Sequence, residues 1–242
     1  MQAQEAVHAL RDRYGHVNRD DADIIVAVGG DGFMLEVLRM QMGHAQPVYG
    51  LNLGTVGFLM NAYTSDDLLV RINNAESATI YPLMMDAQTV DGRHIREKAI
   101  NEVSLYRQTR QSAKLRLSVN GKVRMPSLVC DGALLATPAG STAYNLSAHG
   151  PILPLEAQLL ALTPISAFRP RRWKGALLPQ SAVVGFTVLE PEHRPVAAVA
   201  DNREVRDVLH VEAKADLDTA MTLLFDEGQS LDERILREQF DY

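Results

Sequence analysis

Residues 24–28 form an unbroken apolar run that ends in Gly29, Gly30, Asp31 and Gly32 and passes directly into 33–42, a stretch rich in Met, Leu and Glu. A short run without polar alternation reads as a strand covered on both faces, and the glycines mark a tight turn into a helix. Helices must cover such strands from both sides, so this unit commits the start of the chain to α/β architecture. Its neighbours agree: 47–52 reads as the next strand, 53–57 as a second glycine-punctuated turn, and 65–73 as a helix with Ser65 as its N-cap. Ahead of the unit, 1–15 reads as a helix with Val7, Leu10 and Tyr14 on or near one face. An α/β nucleotide domain normally opens with a buried strand, so residues 1–80 are expected to form such a domain lacking its usual first strand.

From residue 80 the rhythm changes to short runs at 78–90, 93–105, 114–119 and 122–130. Asp91-Gly92 and Asn120-Gly121 divide them, and such dipeptides favour the two-residue turns of antiparallel hairpins. Runs at 182–189, 195–200 and 207–213 continue the pattern. The expected organisation is an α/β nucleotide-binding domain over 1–80 and a β-rich, β-sandwich-like domain over 81–213. A tail over 214–242, helical towards its end, is expected to pack back on the first domain.

Thirty acidic against 24 basic residues give a net charge of -6, which argues against nucleic-acid or anionic-membrane binding and leaves room for a local phosphate site. The longest apolar runs fall far short of the roughly 20 residues that span a bilayer. The lone Cys130 excludes an intrachain disulfide framework and any multi-thiolate metal centre, and a cytoplasmic location is expected. The seven histidines show no metal-ligand spacing, so no metal-binding side chain is nominated. Arg169, Arg171, Arg172 and Lys174 surround the only tryptophan, Trp173, and read as a solvated loop, a subunit contact or a phosphate-donor contact.

Gly29, Gly30 and Gly32 let backbone N–H groups approach phosphate at a helix N-terminus. Asp31 among them either caps the helix, or accepts a proton from an alcohol or coordinates a cation. Phosphoryl transfer demands alignment and charge neutralisation above all, and a carboxylate beside glycine amides, completed by a divalent metal, supplies both. The second glycine turn places Asn52 and Phe58 near a cleft, where Phe58 either stacks on a base or belongs to the core. Asn101 and Glu102 read either as a pair that recognises adenine and ribose edges or as a capped turn. Residues 131–151 combine many small residues with Asp131, Ser141, Thr142, Tyr144 and Asn145, a composition that suits close approach of a ligand to backbone.

Taken together, the glycine turn at 29–32, the 52–58 segment, Asn101-Glu102, and Thr137-Pro-Ala-Gly-Ser-Thr-Ala-Tyr-Asn145 followed by Gly150-Pro-Ile152 resemble the NAD kinase family. The resemblance implies the NAD kinase-like two-domain fold, with the active site between the domains. It also implies transfer of the terminal phosphoryl group of ATP to the 2'-hydroxyl of the adenosine ribose of NAD, with Mg2+ accompanying ATP. By it Asp31 is the base, Gly29, Gly30 and Gly32 lie beside the phosphates, Phe58 lines the adenine side, and Asn52 is a further binding residue. Asn101 and Glu102 hold adenosine and ribose, Asp131 and Ala143 meet the nicotinamide end, and Thr142 and Tyr144 complete the pocket. Asp201 reaches the diphosphate-ribose region, often across a subunit contact, and a homodimer or homotetramer is implied. Phe33, His149 and Asn202 depart from the commonest family pattern, and the Phe33-Met-Leu35 variant resembles Gram-negative bacterial members. Alternatives that share parts of the pattern are a lipid or sugar kinase and a non-catalytic NAD or NADP sensor.

Overall fold

The computed structural model describes residues 3–54, 57–229 and 233. The chain divides into two compact units, Met1–Ile80 with Thr219–Tyr242, and Tyr81–Asp218.

The first unit opens with α1 (Ala3–Tyr14), followed by β1 (Ile25–Gly29), α2 (Asp31–Gln41) and β2 (Val48–Asn52). Helix α1 turns Ala6 and Leu10 inward, where they join Val28, Tyr49, Leu51 and Leu68 in one cluster. Strands β1 and β2 pair in parallel from Ile25↔Val48 to Gly29↔Asn52, so their carboxyl ends finish side by side. β3 (Asn61–Ala62), α3 (Leu68–Asn73) and β4 (Glu76–Ile80) complete the first eighty residues. The N-cap of α3 is Asp67 at φ 54, in the left-handed region, and not Ser65 as expected. The carbonyl of Ser65 instead accepts the Tyr14 hydroxyl at 2.9 Å, and Asp66 pairs with Arg13. These bonds hold residues 65–67 in a bend and move the N-cap on from Ser65 to Asp67.

The second unit contains β5 (Leu83–Thr89), β6 (His94–Ala99), β7 (Glu102–Arg107), β8 (Ala113–Val119), β9 (Lys122–Cys130) and β10 (Gly132–Ala136). A 3-10 turn (Ala139–Thr142) and the short helix α4 (Tyr144–Ser147) follow. β11 (Leu159–Ile165), β12 (Ala176–Pro179), β13 (Val184–Val188), β14 (Val196–Ala200), β15 (Arg203–Val205) and β16 (Val208–Ala215) close the unit. These strands form two six-stranded sheets, ordered β12-β11-β10-β7-β14-β15 and β6-β5-β16-β13-β8-β9. Leu83, Met85, Leu115 and Phe186 from one sheet share a buried cluster with Val103, Leu105, Leu135 and Ala198 from the other, which is a β-sandwich core. The β8–β9 hairpin turns through Asn120 at φ 51 and Gly121 at φ 75, where an Asn-Gly pair carries little strain.

Two of the expected runs are each broken. Residues 93–105 become β6 in one sheet and β7 in the other, because the chain turns a corner at Ile100 and Asn101. Residues 78–90 become the end of β4 in the first unit and β5 in the second, separated at Tyr81 and Pro82, where proline has no N–H to continue a ladder.

The strand expected to stop at 213 runs to Ala215, and the second unit continues to Asp218. β17 (Met221–Phe225) then pairs in parallel with β2 and antiparallel with β4, giving the sheet order β1-β2-β17-β4 with β3 also on β2. Its end is locked by side chains: Tyr49 Oη donates to Asp226 at 2.5 Å, Arg71 donates to both oxygens of the same carboxylate, and Asn61 exchanges bonds with Leu224 and Asp226. The helical reading of the far tail falls on residues 230–232 and 234–242, outside the described residues.

Candidate active site

In the first unit the two glycine turns emerge from the adjacent carboxyl ends of β1 and β2, where open α/β sheets bind ligands. The Leu53 N–H donates to Gly29 O at 2.8 Å and ties one turn to the other. Gly30 is the N-cap of α2, and Asp31 is its first residue, so the helix starts two residues earlier than expected. Asp31 does not cap its own helix: Oδ2 accepts the Phe58 N–H at 2.7 Å and Oδ1 accepts the Leu59 N–H at 3.2 Å. Each carboxylate oxygen keeps a second lone pair for a substrate hydroxyl. The side chain of Asn52 accepts the Gly54 N–H at 2.9 Å, and a Cβ on Gly57 would come within 2.9 Å of Asn52 Nδ2 and 3.3 Å of Asp31 Oδ1. Asp31, Asn52 and Phe58 are thus brought together around one turn, with Phe58 half-buried.

The glycines themselves differ in what requires them. A Cβ on Gly29 would strike the ring of Phe33 at 2.9 Å, so packing explains that position. A Cβ on Gly30 or Gly32 would meet no atom within 4 Å, and neither has a positive φ. Nothing among the described residues demands glycine there, whereas a ligand lying against the backbone N–H groups of a helix start would.

In the second unit Asn101 and Glu102 form the corner that leads into β7. Asp201, at φ 53, accepts the Ile100 N–H on Oδ2 at 2.7 Å and the Asn101 and Glu102 N–H groups on Oδ1 at 2.9 and 3.3 Å. On the other side Thr137 donates its N–H to Asn101 O at 2.9 Å and its hydroxyl to Ile100 O at 2.8 Å. Gly140 lies so close that a Cβ there would sit 2.1 Å from Asn101 O. Three separated sequence segments therefore converge on one corner.

Strand alternation then sets out a row. Val103 and Leu105 enter the sandwich core, so Glu102, Ser104 and Tyr106 share the opposite face of β7. The segment after β10 folds back over this face: the Tyr144 ring lies 5.8 Å from that of Tyr106, and Tyr144 packs with Leu134, Ala136 and Ala161. Tyr106 pairs with Gly132 across the sheet, so Asp131 lies at the same end of β10 as this aromatic pair, where its carboxylate accepts Arg107 Nε at 2.5 Å. Thr142 is buried and Ala143 half-buried on the connecting turn. Ser141 and Asn145, noted in the sequence as polar contacts, are consumed internally: Ser141 bonds Pro138 and Leu153, and Asn145 bonds Ser141, Pro151 and Thr163. Sequence reasoning missed Ser104 and Tyr106, although counting every second residue from Glu102 would have found them.

Glu102 Oε2 is buried and has no hydrogen-bond partner among the described residues. Burial first, and the charge of Asp201 second, push its carboxyl up from the ordinary 4.5 to about 7. The folded chain therefore holds this proton more tightly than the unfolded chain, so its contribution to stability falls as pH rises from about 4.5 to 7. Glu102→Gln is expected to stabilise the fold above that window by on the order of 2 kcal/mol and to change nothing below it. Denaturant unfolding of both forms on either side of the window checks the sign.

Comparison with known proteins places these features in a family. Residues 2–74 match the ATP-NAD kinase N-terminal domain and residues 100–214 match the ATP-NAD kinase C-terminal domain. The chain is 63% identical over 241 residues to the NAD kinase of Caulobacter vibrioides, covering 99% of this chain and 92% of that protein. It is 57% identical over 240 residues to the NAD kinase of Brucella suis, covering 98% and 93% respectively. Its fold is similar to that of yeast NADH kinase complexed with NADH, with a TM-score of 0.79 at 24% identity over 91% of this chain and 67% of that one. It is also similar to an NAD kinase from Archaeoglobus fulgidus in complex with ATP, with a TM-score of 0.76 at 22% identity over 95% and 92%. With both domain models matched in order and such identities along nearly the whole length, the chain belongs to the ATP-NAD kinase family.

Proposed function

We infer that this chain is an enzyme that transfers the terminal phosphoryl group of ATP to the 2'-hydroxyl of the adenosine ribose of NAD, releasing ADP and NADP. Family membership supplies the reaction, and the observation that carries it to this chain is Asp31 at the head of α2, between two glycines that nothing in the packing requires. Asp31 takes the proton of the 2'-hydroxyl, the freed oxygen forms a bond to the terminal phosphorus, and the bond from that phosphorus to ADP breaks. Its two bonds to the Phe58 and Leu59 amides keep the carboxylate aimed. The backbone of Gly29, Gly30 and Gly32 receives phosphate oxygens, Phe58 lines the adenine side, and Asn52 is a further binding residue.

In the second unit Asn101 and Glu102 bind adenosine and ribose, Thr142 and Tyr144 line the dinucleotide pocket, and Asp131 and Ala143 meet the nicotinamide end. A divalent cation, Mg2+, comes with ATP and neutralises phosphate charge. Among the described residues no group of three or more His, Cys, Asp or Glu forms a cage, and Asp31 is the carboxylate beside the glycine turn. These surroundings would suit Mg2+ held by the phosphates of ATP, since Mg2+ keeps several of its waters and takes few protein carboxylates. The working form is a homodimer or homotetramer in the cytoplasm. Among the described residues no helix is long and apolar enough to cross a membrane.

An acceptor panel tests the reading. With ATP and Mg2+, phosphoryl transfer is expected to NAD and not to fructose 6-phosphate or diacylglycerol. Transfer to the sugar or lipid alone would make the chain a kinase of that acceptor. NAD binding without turnover on any donor, polyphosphate included, would make it a dinucleotide sensor.

A further inference from the structure

We propose that Asp201 is a positioning residue, whose carboxylate clasps the backbone amides of Ile100, Asn101 and Glu102 and sets the corner from which Asn101 and Glu102 engage the adenosine ribose. The proposal rests on the reading of Glu102 as a dinucleotide contact and differs from the direct substrate contact that family resemblance implies for Asp201.

The geometry is that of an anion nest: three successive N–H groups converge on one carboxylate, at 2.7, 2.9 and 3.3 Å. Charge-assisted bonds of this kind are stronger than neutral ones. The clasp is reciprocal, because the Asp201 N–H donates to Glu102 O at 3.1 Å. Both oxygens of Asp201 bond this turn, across about a hundred residues of sequence. The left-handed backbone at Asp201, φ 53, follows β14 and starts the turn into β15, and this conformation swings the carboxylate back over the corner.

Asp201 also sets the electrostatics of the group it places. Glu102 faces apolar Ala136 across β10, and the charge that acts on it is that of Asp201. Tyr106, farther along the same face, stays neutral, its hydroxyl pushed up to about 12 by burial. An ionised Glu102 accepts a ribose hydroxyl more strongly than a protonated one, so the KM for NAD is expected to fall as pH rises through the point where Glu102 loses its proton.

The test uses the full chain and compares Asp201→Asn, Asp201→Ala and Glu102→Gln. Asparagine keeps an oxygen for the Asn101 and Glu102 amides but loses the acceptor for Ile100, whereas alanine loses all three. A graded rise in KM for NAD is expected, about 3-fold for Asn and about 10-fold or more for Ala, with the KM for ATP unchanged. Removing the charge in Asp201→Asn also moves the acid limb of the NAD profile to lower pH, which loss of folding alone would not do. Hydrogen exchange at the Ile100 amide, read by NMR, accelerates in Asp201→Asn whatever the role of Glu102. If Glu102→Gln leaves the KM for NAD and its pH profile unchanged, the reading of Glu102 fails, and the exchange measurement still judges the clasp. Equal collapse of kcat in both Asp201 variants with an unmoved acid limb and unchanged exchange would overturn the proposal in favour of direct substrate contact. Unchanged exchange together with an unchanged KM would overturn it as well. If Asp201→Ala fails to fold, Asp201→Asn alone carries the comparison.

Discussion

Asp31→Asn is expected to lower kcat by about 10²–10⁴-fold, the usual worth of a positioned general base, while NAD and ATP remain bound. The substitution preserves shape but removes the proton acceptor. It also turns an NH2 group towards a backbone N–H that now donates to carboxylate, at Phe58 or at Leu59. Calorimetric titration with NAD and ATP separates chemistry from binding, and thermal unfolding reports whether the turn survives. A variant that turns over at the wild-type rate would remove Asp31 from the chemistry. A variant that merely unfolds earlier, with kcat preserved below its transition, would leave Asp31 a structural link between the two glycine turns.

Gly140→Ala is the second large effect. Its Cβ would sit 2.1 Å from Asn101 O, 2.4 Å from Asn101 C and 2.5 Å from Asn101 Cα. These atoms are backbone, and they cannot retreat, because Asp201 holds them on one side and Thr137 on the other. Relief requires the corner to move, at a cost of about 3 kcal/mol with displacement of Asn101 and Glu102. A lower midpoint in urea and a raised KM for NAD should appear together. Gly30→Ala provides the contrast: no atom lies within 4 Å of the added methyl, so stability is retained while phosphate binding suffers. Loss of stability at Gly30 with none at Gly140 would invert the assignment of which glycine serves packing and which serves ligand.

The parts legible in the sequence are those decided by near neighbours. The strand, turn and helix over 25–41 follow from an apolar run, glycines and helix formers in succession, and the hairpin at Asn120 and Gly121 follows from residues that tolerate positive φ. What escaped reading depends on distant partners. The break of 93–105 at Ile100 and Asn101 has no proline or glycine to announce it, since the corner is made by Asp201 and Thr137 arriving from elsewhere. β17 was hidden in a stretch read as tail, although Met221, Leu223 and Phe225 alternate as a buried strand face should. At the site, the glycines, Asp31 and Glu102 stand out by residue type and resemblance. Ser104 and Tyr106 do not, because only the alternation of β7 sets them on one face with Glu102. Asp31 shows the same limit in reverse: its position in the motif is plain, yet its bonds to Phe58 and Leu59 could not be read from spacing.

The most direct test of the central claim is to incubate the full chain with NAD, ATP and Mg2+ and to locate the transferred phosphate on the product by NMR. The expected result is NADP with a phosphate monoester on the 2'-oxygen of the adenosine ribose, formed together with an equal amount of ADP and absent without ATP. ADP without NADP, or phosphate on any other oxygen of the dinucleotide, would contradict the account.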